Sequence, residues 1–277
     1  VLAEFVEGNT LALENLAKAG LSAGDSVKAL PAVLALAQAG DIELGKSSEY
    51  VTKAVMGMGL AFDDAGRVAD VLAKGANATN TSVEGLAQAL SYAAPVANTL
   101  GVSLESTVAI IGKFADAGID ASRAGTALNS IMSQFANPLS SFRKELGAAG
   151  NVTTNFEEAL HQLAAKGQDG ERAINAVGLE AGPALRALLN QGMGALDDLT
   201  GKLREAGGSA EATAKTMADN LNGSLKGLSS MWETVTQVLG KPVLPVVRKG
   251  VDELTGALRK AVESGLVERF GQTLATA

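Results

Sequence analysis

One histidine, His161, stands among 277 residues, and there is no cysteine. Zinc sites draw on several His and Cys side chains, so this chain lacks the means to build one. Disulfides and thiolate nucleophiles are excluded with cysteine. A serine nucleophile needs a base, and His161 is the one imidazole available to it. Gly20-Leu21-Ser22-Ala23-Gly24 has the letters of a GxSxG nucleophile elbow. That elbow follows a strand, whereas Leu11–Ala19, with Leu13, Leu16 and Ala17 at helical spacing, reads as helix. Gly40-Asp41-Ile42-Glu43-Leu44-Gly45-Lys46-Ser47 spells the GxxxxGK[ST] P-loop. A P-loop also follows a strand and cradles phosphate on backbone amides. Here the preceding run is Ala-rich, and Asp41 and Glu43 would set two negative charges beside the anion. An inter-helix turn fits better.

Paired acids occur at Asp63-Asp64, Glu157-Glu158 and Asp197-Asp198. Neighbours on a helix point apart, so these are not the facing carboxyls of a glycosidase. His161, in the short amphipathic stretch Phe156–Lys166, reads as a surface or packing residue. The basic doublets Arg143-Lys144, Arg248-Lys249 and Arg259-Lys260 each have acids close by and read as solvated helix faces. The residues therefore assign no catalytic group, no cofactor site and no metal ligand, and the expectation is a chain that is not an enzyme. With 23 Lys+Arg against 30 Asp+Glu the net charge is −7. Gripping a DNA backbone needs clustered cations, so no specific nucleic-acid partner is expected.

The elements that would carry these residues are helical. The chain is 47% hydrophobic but only 4% aromatic, so its apolar mass is small aliphatics that favour helix. Thirty-two glycines against 6 prolines suit many helices of moderate length parted by Gly-containing turns. The expected fold is all-α: a multi-helix array or bundle in thin layers, with longer helices in the C-terminal third. Three regions are expected. Residues 1–138 form a core helical domain, 139–208 a Gly-rich region of short helices, and 209–277 a long-helix segment.

Within the first region Pro31 is expected in the first turn of a helix ended by Gly40. Asp63 is expected to cap the helix carrying Arg67 and Val68. Thr81-Ser82-Val83-Glu84 has capping-box form, and Pro95 is expected to kink or break the helix it opens. Ser103 opens the next helix. Leu44…Gly59…Arg67 echoes Leu104…Gly118…Arg123 at a drifting offset near sixty residues, consistent with a duplicated helical hairpin. In the last region Val247, Val251, Leu254, Leu258 and Val262 form a near-heptad stripe, a candidate oligomer contact. Gly85–Leu104 runs twenty residues without a charge, but its Gln, Asn, Pro and Gly favour a helix pair over a membrane span. Val1 in place of Met, and the helical character of Leu266–Ala277, lead to the expectation that both ends are internal to a longer chain.

Several blocks in one order carry a resemblance. They are Leu30-Pro31-Ala32-Val33-Leu34, then Val68-Ala69-Asp70-Val71-Leu72-Ala73, then Asn77–Leu86. Pro95-Val96-Ala97 and Leu100–Glu105 follow, and Ala117-Gly118-Ile119 leads to Arg123-Ala124-Gly125-Thr126-Ala127-Leu128. From Leu30 to Pro138 the chain resembles the core region of the tape measure proteins of long-tailed phages. The resemblance implies a structural protein of the virion, held in the tail-tube lumen, that sets tail length and leaves ahead of the DNA into the host envelope. It implies self-association as trimer or hexamer, and tail tube proteins, tail tip proteins and tail assembly chaperones as partners. The host membrane is a further expected contact, and a membrane-active or pore-forming helical protein is the alternative reading. Gly125, Thr126, Ala127 and Leu128 are expected to be a helix-packing motif, because small residues let a neighbouring helix come close.

Overall fold

A computed structural model describes residues 12, 14–18, 23–150 and 153–219. The chain divides into two compact units, Val1–Met217 and Ala218–Ala277. The described residues are helices and turns, with no strand among them. The GxSxG serine, Ser22, lies outside them, as do Val247, Val251, Leu254, Leu258 and Val262.

Six helices make the first part: α1 (Ala23–Gly40), α2 (Leu44–Gly57), α3 (Ala65–Ala78), α4 (Val83–Thr99), α5 (Leu104–Asp116) and α6 (Ala121–Ala136). They are two copies of one three-helix plan. In each copy the first helix packs chiefly on the third. The first helix ends on a left-handed residue, Asp41 (φ 49°) or Gly101 (φ 68°). The amides that follow bond back in the same way: Asp41 to Gln38 and Ile42 to Ala37, Gly101 to Asn98 and Val102 to Ala97. The second helix ends likewise, with Gly59 bonding Met56 and Leu60 bonding Val55, and Gly118 bonding Ala115 and Ile119 bonding Phe114. These are paired helix-end bonds of Schellman type. The echo in the sequence is thus a three-helix repeat, not a hairpin. Its offset drifts because the loop into α3 carries an extra 3-10 turn, Phe62–Asp64, where the loop into α6 is direct.

Several local expectations are corrected. Pro31 lies inside α1, and Pro95 inside α4 without ending it. Both prolines are exposed, so water can take the carbonyls that their missing N–H leaves free. The cap of α4 is Ser82, whose hydroxyl accepts from the Gly85 amide, not Thr81. Glu84, one residue into the helix, bonds outward instead, accepting from the Tyr50 hydroxyl at 2.8 Å. Asp63 sits in the 3-10 turn and no side chain caps α3. Ser103 and Asp120 do cap α5 and α6.

Shorter helices follow: α7 (Ser141–Ala148), α8 (Phe156–Ala165), α9 (Glu171–Ala176), α10 (Ala181–Asn190), α11 (Met193–Arg204) and helical residues 209–219, here α12. Helix α7 packs on α9, α10 on α6, and α11 on α5 and α3. One apolar cluster runs through all of this, from Leu16 and Val33 to Leu203 and Ala210. It is mostly Ala, Leu, Val and Ile. Two of its few rings meet near the end of α6, where Phe135 contacts Phe156 edge-on at 5.4 Å and the Arg143 guanidinium lies 4.5 Å over Phe135.

Candidate functional site

The P-loop letters fall where two helices meet. Only Asp41, Ile42 and Glu43 separate α1 from α2, and Gly45, Lys46 and Ser47 already belong to the first turns of α2. Ser47 is buried and its hydroxyl donates to the Val33 carbonyl at 2.7 Å. The Asn15 amide donates to the Gly45 carbonyl and to the Ser48 hydroxyl, both at 3.1 Å. Lys46 stands 3.6 Å from Glu84. These groups are taken up in holding helices together, and no loop remains to surround a phosphate.

His161 lies on α8, half exposed, with Nε2 3.1 Å from the Asp197 carboxylate on α11. Beside the pair is a cleft of about 250 Å³ between α5, α8 and α11, with Ser106 and Ile110 from α5 and Glu157 and Arg204 among its other lining residues. A serine, a histidine and acids do converge here. The serine is not activated, however: the Ser106 hydroxyl accepts from Ser103 at 2.9 Å, and the bonded His161 nitrogen faces Asp197. A general base must reach the nucleophile's proton, and His161 makes no hydrogen bond to Ser106. Among the described residues no group of three His, Asp or Glu could hold a metal ion.

A two-pronged ionic link with a buried partner lies elsewhere. Arg67 on α3 grips Glu105 on α5 with both prongs, Nε to Oε1 at 2.7 Å and Nη2 to Oε2 at 2.8 Å. The Glu105 side chain is only 6% exposed. Burial by itself pushes the Glu105 carboxyl up, but the Arg67 hydrogen bonds and charge, its own backbone amide and the more distant Arg204 together hold it below the usual carboxylate range. Arg67 is raised in turn, chiefly by its bond to Glu105. The pair ties the first three-helix copy to the second. Its counterpart in the second copy, Arg123, is 83% exposed and only 4.0 Å from Asp120. Sequence periodicity gave no sign of Glu105, because its partner lies 38 residues away.

The small-residue stretch sits at the most extensive helix pair, α4 on α6. Ala124, Gly125, Ala127 and Leu128 are buried there. A methyl built on Gly125 would stand 2.5 Å from the Ala89 carbonyl oxygen and 2.8 Å from the Ala89 Cα. Backbone thus lies directly against backbone, which only glycine permits. Thr126 is exposed, and its hydroxyl bonds the Ser122 carbonyl of its own helix at 2.9 Å.

Among the described residues, the groups singled out by type and spacing serve helix-to-helix contact. The family described as "Phage-related minor tail protein" matches residues 6–241. The chain belongs to that family. It is 35% identical to a tape measure protein of Pneumococcus phage Dp-1 over 266 residues, covering 91% of this chain and 23% of that protein. It is 31% identical to a probable tape measure protein of Escherichia phage P2 over 270 residues, covering 90% of this chain and 31% of that protein. The chain therefore spans about a quarter to a third of the length of these relatives. No solved structure matches it. The matched span takes in both three-helix copies, the Arg67–Glu105 link and the α4–α6 contact.

Proposed function

We propose that this chain is the folded helical portion of a tape measure protein, a structural part of the phage tail with no catalytic step of its own. The observation that carries the reading is the family match from 6 to 241, which takes in all the described helices. The packing agrees with it: hydroxyls, amides and ion pairs that elsewhere serve catalysis here join helix to helix. In this reading the protein resides in the tail lumen, contacts tail tube and tip proteins, meets assembly chaperones on the way in, and works as a trimer or hexamer. Val247, Val251, Leu254, Leu258 and Val262 supply part of that self-contact. The Gly125–Leu128 stretch works inside one chain, with Gly125, Ala127 and Leu128 seating α6 on α4.

Mass spectrometry of purified virions tests the reading directly. Peptides from residues 23–219 are expected in the tail fraction, at a copy number that is a multiple of three. Their absence from virions that still carry full-length tails would overturn the proposal. Among the described residues no helix is long and apolar enough to cross a membrane, and no observation favours pore formation over the tail role.

A further inference from the structure

Helix α12 is held by an unusual combination of groups. Its burial is slight: Ala210 and Ala214 are its buried side chains, Thr213 is half covered, and the other positions from 211 to 219 are exposed. Two methyl groups give about 1–2 kcal/mol of apolar burial, little for a helix of three turns. The polar attachments are stronger. Asp70 of α3 accepts from the Gly208 amide at 2.8 Å through one carboxylate oxygen and from the Ala210 amide at 2.9 Å through the other. A helix start has amides without partners and a positive end of its dipole, and a carboxylate answers both. Here that carboxylate comes from 138 residues earlier in the chain. Two turns further along α3, the Asn77 amide donates to the Thr213 hydroxyl at 2.9 Å. Between the two helices an open cleft of about 370 Å³ remains, with Lys74, Lys202 and Ala212 on its sides.

The connection to α11 is built to turn. Gly207 and Gly208 stand together, Gly208 at φ 76°, and a Cβ on either would meet nothing within 4 Å. The joint is held by the Gly208 amide's bond to Asp70 and by the Ser209 amide's bond to the Ala206 carbonyl at 2.8 Å, and it can turn once these open.

We propose that α12 is a strap latched by Asp70, which peels from α3 as a unit about the Gly207-Gly208 joint while α1 to α11 stay folded. Latched, α12 stays on α3 through Asp70 and Asn77. Peeled, the chain leaves at Ala206, and eleven helical residues, about 16 Å, are added to its reach. The inference stands on the geometry of α12 and does not depend on the tail role.

Hydrogen exchange on the whole 277-residue chain tests it. In the unaltered protein, amides of 209–219 are expected to exchange by local opening, at lower denaturant than those of α4 and α6. Asp70→Ala is expected to speed exchange in 209–219 by about 10- to 100-fold, and Asp70→Asn by less, with α4 and α6 unchanged. Because the chain has no cysteine, Asn77→Cys with Thr213→Cys can be joined selectively by a short bis-maleimide. That link is expected to restore protection in the Asp70→Ala background. Unchanged exchange in 209–219 on losing Asp70, or a rise spread evenly over residues 23–204, would overturn the latch. So would unaltered protein in which 209–219 opens only together with α4 and α6.

Discussion

Gly125 sets a backbone-to-backbone contact, and its methyl-free Cα is the reason α6 can lie on the Ala89 backbone. Gly125→Ala is expected to cost about 1–3 kcal/mol, read as a lower urea midpoint with little change in slope. Thr126→Ala, one residue on but exposed, should stay within about 0.5 kcal/mol of the parent. The Arg67–Glu105 pair gives a different signature. Glu105→Gln leaves a buried amide facing a guanidinium and should cost about 1–3 kcal/mol. Its pH dependence follows from the lowered carboxyl. A carboxylate whose folded pKa lies below its unfolded value contributes fully above the unfolded value, and the contribution fades as pH falls through the folded one. The parent should therefore lose stability from about pH 4 downward more steeply than Glu105→Gln, in parallel urea titrations. Of these two positions the sequence announced only one. Gly125 sits among small residues in a recognisable run. Glu105 looked like an ordinary first-turn acid, because an ion pair over 38 residues leaves no local pattern.

At the scale of elements, most helices were legible from the spacing of apolar residues, because each buries one stripe in a single cluster. The helix end at Gly118 is written plainly as glycine, the residue that takes a left-handed conformation most easily, whereas α1 ends on left-handed Asp41, which nothing in the local pattern marks. The errors came where the environment overrides a local rule. Pro31 and Pro95 read as boundaries but lie on exposed sides of α1 and α4, where packing of the other side keeps the helix going. Thr81 and Ser82 were equally good caps by type, and the choice fell to the residue whose hydroxyl meets the Gly85 amide. In α4 the turn around Pro95 is also braced from outside, the Asn129 amide donating to the Tyr92 carbonyl at 2.6 Å. Pro95→Ala should restore the bond to the Ser91 carbonyl and raise the melting temperature by several degrees. A decrease would mean that the proline's shape, not tolerance of it, positions that brace. The cap of α12 by Asp70 was beyond any local reading, since nothing near Gly208 in the chain names its acceptor.

For the whole molecule, compactness bears on the tape-measure role proposed above. A folded unit of 217 residues has a radius of gyration of about 17 Å, whereas the same residues in one helix would reach about 325 Å. If the unit stays folded in the tail, adding a third copy of the three-helix plan lengthens the tail by far less than 1.5 Å per added residue. Electron microscopy of tails from such a phage should show nearly parental length. A full increment of 1.5 Å per residue would mean that the unit is drawn out during assembly. Duplicated helices invite mispairing, since α4 could seek α3 as readily as α6. At the place where α6 has Gly125, α3 has Ala69. That single extra carbon would strike the Ala89 carbonyl in the mispaired register, so the wrong partner is turned away by sterics before any side chain has to discriminate.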